Sequence, residues 1–212
     1  MVLVVGMADA RRDSANAEGR LDARYSVTLA GLPIGHGSWT IEIGDDHFSA
    51  NASGAASGLL RVFASGQGHS SVRGSMSAGQ PVSSTYSSSI STDKRYDEVR
   101  MVISAGTVKE FSAEPPNTPN PTRVPLTDAH RHGVFDPMTA SLVRVSGAGE
   151  TVVPQACQRT LSIFDGRMRY DLQLAFKRIE SVKSQAGYQG PVVVCAVHFL
   201  PLAGHVPERY AL

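Results

Sequence analysis

Charge is scarce in this chain. Asp, Glu, Lys and Arg together make up 18% of its 212 residues, and the formal net charge is +1. A nucleic-acid-binding domain carries a clearly basic face. Here sixteen Arg and four Lys are scattered singly or in pairs, so the Arg excess reads as composition bias. Neither a nucleic acid nor an anionic membrane surface is the expected partner. Aromatic residues are equally sparse, at 7% with a single Trp. No apolar run reaches the length of a bilayer-spanning helix, which excludes a transmembrane helix. Two cysteines are too few for a zinc site of thiolates at tight spacing, and seven histidines supply no metal-ligand pattern around them. No metal or other cofactor is expected.

Gly, Ser and Thr take the place of the missing charge, a balance that suits strands and turns. The apolar fraction of 42% is sufficient for a core. The opening MVLVVGMADA pairs a short apolar run with an A-x-A string at Ala8-Asp9-Ala10, the shape of a signal-peptidase site. Residues 1–20 are therefore read as a signal-peptide remnant or disordered N-terminus. Residues 21–212 are read as a single β domain, because splitting it at its Pro-rich loop would leave two lean cores.

From Leu21 the pattern alternates. Leu21, Ala23, Tyr25, Val27 and Leu29 face one way, and Asp22, Arg24, Ser26 and Thr28 the other, as in a half-buried strand. A turn at Gly31 to Pro33 leads to a second strand with Trp39, Ile41 and Ile43. Gly44-Asp45-Asp46 leads to a third that opens with Phe48, Ala50 and Ala52. SGLLRVFA (57–64) reads as one or two helical turns capped by Ser57, or as a buried strand. Residues 68–92 keep Val82, Tyr86 and Ile90 at even spacing among serines and read as strands with a polar outer face. Lys94–Ile103 and Thr107–Phe111 continue the sheet.

EPPNTPNPTRVP (114–125) must be a long loop, since proline neither donates to a ladder nor lets its predecessor turn helical. Thr127 is placed to cap a short helix over TDAHRHG. Asp136 is placed to cap a second one with Pro137 at its first position and with Met138, Leu142 and Val143 as its apolar side. Strands resume at Cys157, turn at Asp165-Gly166, and alternate from Met168 to Phe176. Pro191–Leu202 is apolar on both faces and reads as the most central strand.

Chemistry is hard to find. His130 and His132 stand two apart, a spacing that does not converge on a helix, so a solvated helix end is the reading. His198 reads as a core or rim histidine. No G-x-S-x-G elbow exists; Gly54-Ala-Ala-Ser-Gly58 puts the serine one place late. Gly66, Gly68 and Gly74 precede no helix and make no phosphate cradle. Asp165 and Asp171 have the look of surface carboxylates. No catalytic residue is assigned and the chain is not expected to be an enzyme. Cys157 and Cys195, both within strand patterns, form a disulfide by default in an oxidising compartment, with two buried thiols as the alternative.

FDGRMRYDLQLAF (164–176), GYQGPVVVCAVHFLPLAGH (187–205), DPMTASLV (136–143) and YSVTLAGLPIGHGSW (25–39) together resemble the domain-of-unknown-function family 3108. The resemblance covers about residues 21–212. It implies an exported, largely β bacterial envelope protein with no assigned activity. Its characteristic positions here are Gly35, Asp136, Pro137, Cys157, Asp165, Gly166, Arg167, Tyr170, Cys195, Gly204 and His205. The turn-and-arginine string is also loosely similar to cell-envelope integrity protein B, a periplasmic β-spiral with one disulfide, and this favours an open, curved barrel over a sandwich.

The expected architecture is one curved antiparallel sheet, a partly open barrel or β-spiral with two or three short helices. The expected function is that of a non-enzymatic periplasmic protein supporting the cell envelope through contacts with proteins or cell-wall components. The alternative is a carrier holding a lipid or other apolar ligand inside the sheet, with Tyr25, Trp39, Phe176 and Phe199 lining a cavity. Tyr25, Trp39, Arg167, Arg169, Tyr170 and His205 are the candidate contact residues. For a long Arg side chain, packing along the sheet is the plainer reading.

Overall fold

The computed structural model describes residues 19–57, 66–142, 153–183 and 188–207. The two-residue alternation is realised as a seven-stranded antiparallel meander in sequence order: β1 (Gly19–Leu29), β2 (Leu32–Ile43), β3 (His47–Ala56), β4 (Gly66–Ser77), β5 (Gln80–Thr92), β6 (Tyr96–Ser104) and β7 (Thr107–Glu114). One face carries the core. Cross-strand register aligns Leu21, Ile41, Ala50, Val72, Tyr86, Met101 and Phe111 in a single row across all seven strands. Phe48, Val99, Ile103, Val108 and Met138 pack around that row. The opposite face is mostly hydroxyls and short polar groups, as in the row Thr40, Asn51, Ser71, Ser87 and Arg100. Bulges at Val27/Thr28, Arg73/Gly74 and Val102/Ile103 bend the strands and raise their twist.

Three hairpins use the same dipeptide. Ala30-Gly31, Ala78-Gly79 and Ala105-Gly106 all adopt positive φ at both residues, the type I′ geometry that matches strand twist. The first turn therefore lies at Ala30-Gly31 rather than Gly31–Pro33. Pro33 is already in β2, opposite Thr28.

After β7 the Pro-rich stretch crosses the fold without regular structure. Asp128–Arg131 forms a 3-10 turn in which His130 Nδ1 accepts the Thr127 backbone N–H at 3.0 Å. Helix α1 (Pro137–Ser141) begins as its sequence foretells: one Asp136 carboxylate oxygen accepts the N–H groups of Met138 and Thr139 at 3.0 and 2.9 Å. A 3-10 turn at Pro154–Cys157 leads to β8 (Arg159–Phe164), β9 (Arg169–Lys183) and β10 (Gln189–Ala203), which pair in the order β10-β9-β8.

The segment 132–135 joins the two sheets. His132 bridges Thr107 of β7, the Val134 N–H donates to Gly106, and Phe135 makes a parallel bridge to Ile163 of β8. The protein is thus mainly β, two antiparallel sheets in hydrogen-bonded succession. Among the described residues the succession is not closed, and β1 and β10 remain its outer edges.

Two readings need correction. β10 is an edge strand, not the central one. Its apolar sequence is misleading because Val197, Phe199, Leu200 and Leu202 are exposed, and Pro191 and Pro201 are residues that only an edge tolerates. Cys157 ends a 3-10 turn instead of lying in a strand. It nonetheless bonds to Cys195 of β10, with Cα atoms 5.4 Å apart. The helical expectation for 57–64 falls on residues 58–65, which lie outside the described residues, as do Val143 and residues 1–18.

Candidate functional site

Small residues on the packed face of the meander leave a space. Two rows out from the core row, on the same face, run Tyr25, Gly37, Gly54, Gly68, Ile90 and Asp97. Between it and the core row run Trp39, Ala52, Ser70, Ser88 and Val99. Three consecutive glycines across the sheet remove the side chains that would otherwise meet the opposite wall. A cavity of about 650 Å³ results, floored by Ala52, Gly54, Gly68 and Ile90 and walled by Pro137, Asp165 and Arg167. That volume lies within the range of small-ligand sites.

The Asp165–Arg167 turn, between β8 and β9, closes one end of this space. Asp165 turns back on itself: its Oδ1 accepts the N–H groups of Arg167 at 2.8 Å and Met168 at 2.6 Å. Burial nevertheless pushes its carboxyl above the ordinary aspartate value, against the pull of those donors and the Arg167 charge. Burial also raises the Tyr86 hydroxyl, which hydrogen-bonds with the side chains of Ser88 and Ser70. Tyr170 is pushed up further, again by burial first and then by Asp165 and Tyr86.

Arg167 is the tie between three segments. Its Nη1 donates to the Pro115 carbonyl at 2.6 Å and to Asn117 Oδ1 at 2.5 Å. Its Nη2 stands 3.4 Å from Asp97 on β6, and Arg95 approaches the other Asp97 oxygen at 2.9 Å. Asn117 returns a hydrogen bond to the Gly166 carbonyl at 2.7 Å. The Pro-rich loop is pinned a second time at its far end, where the Gly204 N–H donates to the Val124 carbonyl, the Val124 N–H donates to the His205 carbonyl, and Arg123 donates to the Gly204 carbonyl at 2.8 Å. The turn that walls the cavity and the loop outside it therefore form one hydrogen-bonded unit.

The candidate residues named from sequence divide accordingly. Arg167 lines the cavity. Tyr170 stacks on Phe199, ring centroids 5.0 Å apart, and Arg169 is committed to Asp171 and the Tyr170 carbonyl, both at 2.6 Å. The His205 backbone anchors the loop. Tyr25 and Trp39 flank the glycine row on β1 and β2, and their buried Oη and Nε1 atoms find no hydrogen-bond partner among the described residues. The quartet Tyr25, Trp39, Phe176 and Phe199 does not enclose the cavity, whose lining is made by other residues. Phe176 and Phe199 are exposed on the smaller sheet. Sequence reasoning missed Gly54, Gly68, Ile90, Asp97 and Asn117. The available signal was glycine inside strand patterns, which marks a bulge or a close approach by backbone or ligand.

No helix among the described residues is long and apolar enough to cross a membrane. No curated protein and no solved structure matches the chain. A family model does match, over residues 24–208, and it is described as a protein of unknown function, DUF3108. That span takes in the meander from the middle of β1, the pinned loop, the cavity wall and both cysteines, and the chain belongs to the DUF3108 family.

Proposed function

We propose that this protein is a non-enzymatic, exported carrier that holds a lipid or other apolar molecule against the packed face of its open sheet. The observation that carries this reading is the cavity of about 650 Å³ over Gly54, Gly68 and Ile90, a volume and a small-residue floor suited to an alkyl or flat ring body. The charged groups at its wall are held in place. Arg167 Nη1 is bonded to Pro115 and Asn117 while its Nη2 lies 3.4 Å from Asp97, and its Nε and Nη2 find no hydrogen-bond partner among the described residues. Asp165 accepts two backbone donors. Groups held this way favour a binding wall over a reacting centre. The Cys157–Cys195 disulfide supports an oxidising compartment, for which the periplasm is the reading.

A second reading, a scaffold that contacts envelope proteins or cell-wall components, draws support from the opposite face. There a hollow of about 240 Å³ is lined by Thr40, Asn51, Ser71, Ser87 and Ser89 with Glu98, a hydroxyl-rich surface suited to polar polymers.

Native mass spectrometry with solvent extraction, on protein purified from the periplasm, separates the two. A co-purifying lipid or apolar molecule supports the carrier. A clean mass that stays clean after incubation with envelope lipid extract overturns it and leaves the scaffold reading.

A further inference from the structure

Three hydroxyls of the cavity gather at its buried end. Along the packed face of β5 the order is Tyr86, Ser88, Ile90, and exposure rises from 6% at Tyr86 to 56% at Ile90. Ser70 of β4 stands opposite Ser88, and both serines hydrogen-bond with the Tyr86 hydroxyl. All four residues line the cavity. Polar groups thus sit inside and an apolar side chain at the exposed end, the reverse of a pocket built for a hydrocarbon tail alone.

Each hydroxyl can donate once and accept twice. The two bonds they share leave a donor and further lone pairs without a partner among the described residues. Buried polar groups are rarely left in that state. A ligand group that both donates and accepts completes the set; a carboxylate or phosphate, which only accepts, does not.

The wall offers no net formal charge to an ion. Arg95 and Arg167 line it, and so do Asp97 and Asp165. Both arginines approach Asp97, at 2.9 and 3.4 Å, and the Nε and Nη2 atoms of Arg167 are buried. The charges that act on Tyr86 itself are two carboxylates, Asp136 and Asp165. An anionic head brought to the hydroxyls would leave water without gaining a counter-charge.

We infer that the cargo is a neutral lipid alcohol, seated with its hydroxyl against Tyr86, Ser70 and Ser88 and its hydrocarbon body over Gly54, Gly68 and Ile90. This rests on the carrier reading and narrows it. Lipids whose heads are charged are the poorer cargo, and a long-chain or ring alcohol is the better one.

Displacement of the neutral fluorophore N-phenyl-1-naphthylamine from the full chain at neutral pH tests it, with 1-decanol, decanoate and decylammonium as competitors. The expected result is displacement by 1-decanol at a concentration about tenfold below that needed by either ion. The double variant Ser70→Ala with Ser88→Ala should bind the fluorophore as wild type does and lose the preference for the alcohol. A retained thermal unfolding transition shows that this variant is folded. Decanoate or decylammonium competing as well as 1-decanol overturns the inference while the carrier reading stands, with the head placed at the exposed Arg95 end. A double variant that keeps the alcohol preference overturns it in the same way. Failure of both the fluorophore and 1-decanol to bind wild type overturns the carrier reading, and the inference falls with it.

Discussion

Gly204 lies against the backbone of Arg167 so closely that a β-carbon has no place there. Its φ is +83°, and such a carbon would press on the Arg167 carbonyl and come within 3.0 Å of Met168 Cα. Two stretches nearly forty residues apart in sequence are therefore one packing unit: the turn that walls the cavity, and the end of β10 that anchors the Pro-rich loop.

Gly204→Ala should combine left-handed strain with a backbone clash and cost about 3 kcal/mol, or about 6–12 °C in Tm for a chain of this size. Gly31→Ala is the control, because Gly31 has nearly the same φ, +81°, but nothing near its missing β-carbon. It should cost only the strain, about 1–2 kcal/mol. Denaturant unfolding of both proteins measures the difference. Equal losses would remove the steric argument.

The three Ala-Gly turns offer stabilisation. Ala30, Ala78 and Ala105 sit at φ of 49°, 50° and 47°, a region that alanine occupies at a cost and asparagine tolerates. All three are exposed. Each Ala→Asn change should add about 0.5–1 kcal/mol by converting the turn to the favoured Asn-Gly pair. The gains should sum in the triple variant, because each turn joins a different pair of strands. Thermal unfolding of the single and triple variants tests both the sign and the additivity.

These turns also show where the sequence was readable. Alternation of Leu21 to Leu29 and of Met168 to Phe176 gave β1 and β9, since a period of two has one structural meaning. Asp136-Pro137 gave the start of α1, because cap chemistry is local. The hairpin at Ala30-Gly31 was displaced because alanine at positive φ is not a turn signal; only the pairing of β1 with β2 imposes it. β10 misled for a related reason. Continuous Val and Leu mark burial on average, and nothing in the string itself says that one edge stays open except its two prolines. The cavity was invisible because it consists of residues aligned across strands. Gly37, Gly54 and Gly68 are unremarkable until register sets them side by side.

Asp165 makes stability depend on pH in a stated direction. Burial raises its carboxyl above the ordinary aspartate value, so the folded chain holds this proton more tightly than the unfolded chain. Between the ordinary and the raised value the native state carries the extra proton, and the contribution of Asp165 to stability falls as pH rises through that window. Above the window the burial cost of the charge is fully present. Asp165→Asn keeps an oxygen for the Arg167 and Met168 N–H groups and removes the charge. Its Tm should exceed wild type at neutral pH, and the gap should close as pH drops below the ordinary aspartate value. A variant less stable at neutral pH, or a gap independent of pH, contradicts this account.

The disulfide closes a loop with a sequence separation of 38. In the chain-entropy treatment that constrains the unfolded state by about 4 kcal/mol. The double variant Cys157→Ala with Cys195→Ala should lose about 8–16 °C in Tm. Wild type under reductant should gain the mass of two hydrogens and approach the variant's Tm. Thermal scans with and without reductant, read beside intact mass, check both. A reduced protein as stable as the oxidised one would show that β9–β10 pairing alone holds the 3-10 turn at Pro154–Cys157.

Filling the cavity tests the carrier reading from the protein's side. A β-carbon at Gly68 would meet the Ser89 carbonyl at 3.6 Å and Ile90 Cγ1 at 3.8 Å, ordinary contacts, and at Gly54 it would meet only the His36 carbonyl at 3.6 Å. Neither glycine has a positive φ. Valine at position 68 therefore fits the backbone, suits a strand better than glycine does, and projects its methyls into the space beside Ile90. Gly68→Val should leave Tm unchanged or raise it by a few degrees while lowering the amount of co-purifying apolar ligand at least tenfold, read by solvent extraction and mass spectrometry. Since stability and binding move in opposite directions, unfolding cannot account for such a loss. Ligand retained in full by a stable Gly68→Val protein would place it outside this cavity.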